Sequence, residues 1–110
     1  MIRFDAVVAQ FPDLGRSLII DWIARGWVRV DGSDPDDWHF AEVDIARVRL
    51  IRELRIDLAV DEQALPVVLS LVDQVHGLRR SLERAIRALD GQPDSIRQLV
   101  LAALDRAPLD

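Results

Sequence analysis

Cysteine is absent from this 110-residue chain, which excludes disulfides, thiolate metal sites and cysteine catalysis at once. Lysine is absent as well. All 14 bases are arginine, set against 19 acids for a formal net charge of -5. An acidic chain repels phosphate backbones on average, so DNA is not an expected partner. No apolar run nears the roughly 20 residues that span a bilayer, so no membrane partner is expected. The opening Met1-Ile2-Arg3-Phe4-Asp5 lacks the apolar core of a secretory signal, and a cytoplasmic location is the expectation. Histidine is scarce, with only His39 and His76, and no H-x-x-x-H or H-x-x-E pair forms a metal site. Ser17, Ser70 and Ser81 lack a nucleophile elbow, and Gly15, Gly26 and Gly32 are too dispersed for a phosphate loop. The adjacent Asp36 and Asp37 lie in a turn that reads as solvated, where nothing drives their pKa values apart for acid/base work. No enzyme, cofactor or metal is expected.

What is present is enough apolar residue, half of the chain, for one domain-sized core. A short helix is predicted over 5–11, stopped by Pro12. A second follows over 14–25, with Asp13 as its cap and Leu18, Ile19, Trp22 and Ile23 on one face. Gly26 takes the position just past its end, and the pair reads as a helix-turn-helix. The run Trp27-Val28-Arg29-Val30 then predicts a strand. It is followed by the acidic turn Asp31-Gly32-Ser33-Asp34-Pro35-Asp36-Asp37 and by Trp38-His39-Phe40, completing a two-stranded wing. Residues 42–56 return to helical spacing, carrying Arg47, Arg49, Arg52 and Arg55.

Beyond Asp61, apolar residues recur at Val68, Leu71, Val75, Leu78, Leu82, Ala85 and Leu89, an alternating three-four spacing of about three heptads. Such a seam wants a partner helix. The residues predict a long helix from about 66 to 90, with Pro66 tolerated in its first turn. Gly91-Gln92-Pro93 breaks it, with Gly91 a candidate left-handed cap and Asp94 a candidate N-cap for a last helix over 95–105. That helix carries Ile96, Leu99, Val100, Ala103 and Leu104 on one side, and is expected to fold back on the seam as a hairpin. The fold class expected is mainly α: a winged helix-turn-helix over 1–60, then a coiled-coil helix and a short final helix over 61–110.

This order resembles the MerR-type winged-helix proteins. Arg25-Gly26-Trp27-Val28 is similar to their helix-to-wing joint, the run from Trp38 to Val48 to their wing-to-helix segment, and Ile51-Arg52-Glu53-Leu54-Arg55 to the end of their third helix. Asp44 stands in the place of that family's capping acid. Within the superfamily the chain resembles the CbpM chaperone-modulator family, through Trp38 and Phe40 in the wing and the run LAVDEQALPVVLSLVDQVHGL from Leu58. The resemblance implies a protein that binds the J domain of a DnaJ/CbpA-like co-chaperone and blocks its engagement with an Hsp70-type chaperone. The tail after Gly91 departs from the shortest members of that family, and Pro66 departs within the matching run.

Electrostatics separates these relatives. At the positions where the MerR pattern carries arginine and tyrosine on the second helix, this chain has Ile20 and Asp21. From Asp31 through Asp44 there are six acids and no arginine. Facing a duplex, that surface would lose counterion-release affinity and add repulsion. Charge would instead steer it to the basic helical surface of a J domain, with a buried aromatic supplying affinity. The expected contact set is Asp34, Asp36, Asp37, Trp38, Ile20 and Asp21. The plain alternative is that the acids solubilise a turn and Trp38 packs into the wing's own core. Leu71, Val75, Leu78, Leu82 and Leu89 are expected to form a homodimer seam. The competing function is a MerR-type transcriptional regulator whose DNA contact has moved to the arginines of the third helix. A small-molecule sensor between the last two helices comes third, since nothing polar converges there.

Overall fold

The computed structural model describes residues 1–106. It divides into two compact units, Met1–Ser70 and a second that begins at Leu71. The elements run β1 (Ile2–Arg3), α1 (Phe4–Gln10), α2 (Arg16–Ala24), β2 (His39–Phe40), α3 (Glu42–Arg52), a π-helical turn (Glu53–Asp57), α4 (Leu65–Asp90) and α5 (Asp94–Arg106). The chain is mainly helical with one small antiparallel sheet, as expected.

The first unit holds the core. Phe4 and Val7 of α1, Ile19 and Trp22 of α2, Phe40 of β2 and Val48 and Ile51 of α3 are all fully buried together. α2 ends through backbone chemistry set by one glycine. Gly26, at φ +79°, donates its N–H to the Ile23 carbonyl (3.0 Å), and Trp27 N–H reaches back to Trp22 (3.0 Å). These are the paired bonds of a Schellman cap, and the left-handed φ is why glycine serves there. At the other end Asp13 does not cap α2. Gly15 is the N-cap without a side-chain bond, and Asp13 instead receives Arg52 from α3 at 2.7 Å. A charge-assisted pair holds the carboxylate more strongly than a neutral backbone N–H would.

The sheet is two-stranded, but its partners differ from those expected. β2 pairs with the N-terminal β1, with Ile2 opposite Phe40 and Arg3 opposite His39. The run 27–30 forms no strand, and its side of the wing is reduced to one bridge, Asp31 to His39. Val28 goes into the core instead, and the Trp27 carbonyl accepts Arg47 Nε (2.9 Å). A two-residue strand lends little ladder stability by itself, so side-chain burial decides its neighbours.

α3 begins where Asp44 accepts the Ala41 N–H (3.0 Å), half of a capping box. Its end is irregular. The π turn is closed by Leu58 N–H to Glu53 and Val60 N–H to Leu54, and Ala59 takes φ +53°. A left-handed alanine costs about 1 kcal/mol. α4 starts at Leu65 with Pro66 in its first turn, where a missing N–H loses nothing. Asp61 prepares that start by accepting the Ala64 N–H at 2.8 Å.

The second unit is the remainder of α4, followed by α5. Gly91 is not in the left-handed region, and α5 starts at Asp94 itself, with Pro93 accepting the first helical bonds. The expected hairpin is not formed. α5 turns Asp94, Arg97, Gln98 and Leu101 toward the last turn of α4 at Ile86, Leu89 and Asp90. Arg97 lies on that side, between Asp94 and Asp90 (3.9 Å). Ile96, Leu99 and Val100 lie on the other side of α5, centred roughly 150° from the side of 94, 97, 98 and 101 at about 100° per residue, while Leu104 lies at the edge next to Arg97. No residue after Leu69 is buried among those described.

Candidate functional site

The acidic turn between residues 31 and 38 is a closed, tied loop. At its base Asp31 and His39 exchange both backbone bonds, 3.0 and 2.8 Å. Asp34 organises the tip: its carboxylate accepts the Asp36 N–H (3.1 Å) and its carbonyl accepts the Asp37 N–H (3.0 Å). His39 Nδ1 lies 2.8 Å from the Asp37 carbonyl, which can only accept, so Nδ1 carries the proton. The loop closes tightly at Gly32, φ +118°, where a Cβ would stand 2.5 Å from the Asp37 oxygen. Only glycine fits that turn.

Residues from the N-terminus hold the loop's aromatic end. Phe4 N–H donates to the Trp38 carbonyl (3.2 Å), extending the β1–β2 ladder by one bond. The Phe4 ring meets Trp38 edge-on at 5.3 Å and stacks on Phe40 at 5.7 Å. Trp38 is therefore half-buried, with part of the indole left to solvent. Arg16, at the start of α2, covers the Phe4 ring at 4.9 Å and reaches Asp5 (3.2 Å) and Asp36 (3.7 Å). It is the cation that ties α2 to the loop. Sequence reading does not find it, because Arg29 and Arg25 both stand nearer the acid run along the chain and only the fold brings Arg16 to Asp36.

Asp34, Asp36, Asp37 and Trp38 thus share one loop, with the three carboxylates exposed. Ile20 follows Arg16 by one turn of α2 and is half-buried against the core. Asp21, next to it, is held by Arg25 (2.9 Å), which also covers the Trp27 ring at 5.1 Å. Of the seam residues, Leu71, Val75, Leu78 and Leu82 lie exposed on one stripe of α4, Leu78 at 70%. Leu89 differs, being half-buried beside Leu101 at the α5 junction.

The arginines of α3 and the π turn are all engaged within the chain. Arg47 is bonded to the Trp27 carbonyl, Arg49 lies 6.0 Å over the Phe11 ring, Arg52 is paired with Asp13, and Arg55 with Glu62 (2.9 Å). The hydrogen bond from Arg52 holds the Asp13 carboxyl below the usual carboxylate range, and Asp13 raises the Arg52 guanidinium in turn. Among the described residues no group of three or more His, Cys, Asp or Glu could hold a metal ion. No helix among them is long and apolar enough to cross a membrane.

A helix-turn-helix, a small sheet carrying a loop, a third helix and a long fourth define a winged-helix protein of MerR-like build. The family model described as "MerR HTH family regulatory protein" matches residues 7–87, and the chain belongs to that family. Within it the chain is similar to chaperone modulatory protein CbpM of Coxiella burnetii, from strains Dugway 5J108-111, RSA 331 / Henzerling II and CbuG_Q212. Each is 28% identical over 80 residues, covering 70% of this chain and 76% of the relative. No solved structure matches the chain.

Proposed function

We propose that this protein modulates a DnaJ/CbpA-like co-chaperone by binding its J domain, with the loop from Asp34 to Trp38 and the adjoining surface of α2 as the contact. The observation that carries the reading is the similarity to CbpM proteins over 80 residues. The geometry of the loop supports it. Three exposed carboxylates are held in a preformed turn beside a half-exposed indole. A rigid acidic surface loses little entropy on docking to a basic helix, and the indole adds apolar contact at its edge. Occlusion is the mechanism: covering the basic face of the J domain denies it to the Hsp70. Leu71, Val75, Leu78 and Leu82 pair α4 with a second copy, so the working form is a homodimer.

The regulator reading requires the arginines of the third helix to face DNA. Each is engaged by a carbonyl, an aromatic ring or a carboxylate of its own chain, so a phosphate must compete for it. Calorimetric titration with an isolated J domain at low and moderate salt tests the proposal. Micromolar binding that weakens with salt, and about tenfold or more in Asp36→Asn/Asp37→Asn, is expected. Strong binding that ignores those substitutions moves the site elsewhere. No binding at either salt, together with salt-sensitive binding to duplex DNA, overturns the function.

A further inference from the structure

The second unit carries two open apolar faces that fit one another. On α4 the stripe from Leu71 to Leu82 runs about 16 Å at ~1.5 Å per residue. On α5 the stripe of Ile96, Leu99, Val100 and Leu104 runs about 12 Å on the same rise and fits within it. Both are exposed, Leu99 at 71%. Within one chain they do not meet: both stripes stay exposed, and the side of α5 turned to the last turn of α4 is the one bearing Asp94, Arg97 and Leu101, with Ile96, Leu99 and Val100 on the other side.

Area decides how a dimer would use them. Buried aliphatic side chains each remove on the order of 60–120 Å² from water. Leu71, Val75, Leu78 and Leu82 alone supply roughly 250–450 Å² per chain, well short of the ~800 Å² per partner of a stable interface. Adding the α5 stripe brings the figure to roughly 500–900 Å², within range. We infer that α5 of each copy lies across the Leu71–Leu82 stripe of the other copy's α4, so the homodimer exchanges its last helices. The inference rests on the dimer proposed above and adds the element that completes the interface.

Sedimentation equilibrium on the full chain tests it, with Leu78→Lys and Leu99→Glu placed near the middle of the two stripes. Both positions are exposed and outside the core of the first unit, and helicity and Trp22 fluorescence report that the fold is kept. Wild type is expected to dimerise with micromolar Kd, and each variant alone to raise that Kd at least tenfold. An equimolar mixture of the two should recover most of the loss. In the mixed dimer one α5 glutamate meets one α4 lysine, and the other crossing is wild type. If helicity falls in Leu99→Glu, Leu99→Gln reads the same contact without a charge. A dimer whose Kd is unchanged by Leu99 substitutions overturns the exchange and leaves the α4 pairing standing. A mixture no better than its components overturns it as well, pointing to α5 against α5. A wild-type chain monomeric up to millimolar concentration removes the dimer and the exchange together.

Discussion

The two units of this chain solve the same problem in opposite ways. Up to Ser70, apolar faces find their partners inside the chain, and all 14 buried hydrophobic residues among those described lie there. From Leu71 on, among the described residues, the apolar stripes of α4 and α5 face outward. Helix propensity is ample in both, so propensity is not the difference. The first unit has short elements whose turns bring faces together, at Gly26 and at the β1–β2 pairing. The second has a long helix and one short helix phased away from it. Helices in proteins take most of their stability from tertiary packing, so the homodimer proposed above would supply to the second unit what the first finds within itself.

The sharpest test of this contrast compares one large side chain from each unit. Trp22→Ala should cost about 3–5 kcal/mol in urea unfolding, the usual range for a fully buried aromatic. Its indole N–H has no partner in the core, so the loss is one of packing rather than of hydrogen bonding. Leu78→Ala should cost under about 0.5 kcal/mol in dilute solution, as for an exposed position. A large cost at Leu78 in the monomer would break the comparison by showing the stripe buried within its own chain.

A smaller effect separates the core of the first unit from its loop. Gly32→Ala combines a left-handed φ with a Cβ 2.5 Å from the Asp37 carbonyl. It should destabilise by about 1–3 kcal/mol. The Trp38 emission should shift as the loop opens, while helicity by far-UV circular dichroism holds. An unchanged Trp38 spectrum would mean the loop is not tied as described.

The smallest effect is electrostatic. Asp13 is lowered in the folded state by Arg52, so its contribution to stability is present above the unfolded carboxylate pKa near ~4 and is lost as pH falls through the lower folded value. Urea midpoints of the wild type and of Asp13→Asn should therefore differ at pH 7 and converge under acid conditions below ~4. Because the pair is partly exposed, added salt should shrink the difference at neutral pH.

The residues that could be read correctly from sequence are those whose partners lie nearby in the chain. Gly26 as the end of α2, Asp44 at the start of α3 and Pro66 in the first turn of α4 all act within five residues. Those that could not be read act at a distance. Asp13 is a good cap by type, yet the guanidinium that claims it lies 39 residues on. β1 is too short to register as a strand, and it forms only because β2 offers an edge. At the start of α5, Arg97 reaches Asp90 across the break, a contact that apolar spacing does not report. In the loop, the acids and Trp38 were visible as a pattern. Arg16, Phe4 and the closure at Gly32 were not, since each is a contact between elements.

The sequence alone was sufficient for the helix periodicities, the heptad seam, the acidic character of the wing loop and the MerR-like order of elements, because these follow from local spacing and charge. The tertiary structure alone decided which strand pairs with β2, which carboxylate each arginine takes, and which way α5 faces. Those outcomes depend on which groups meet in space, where burial and a matched charge outweigh any local preference.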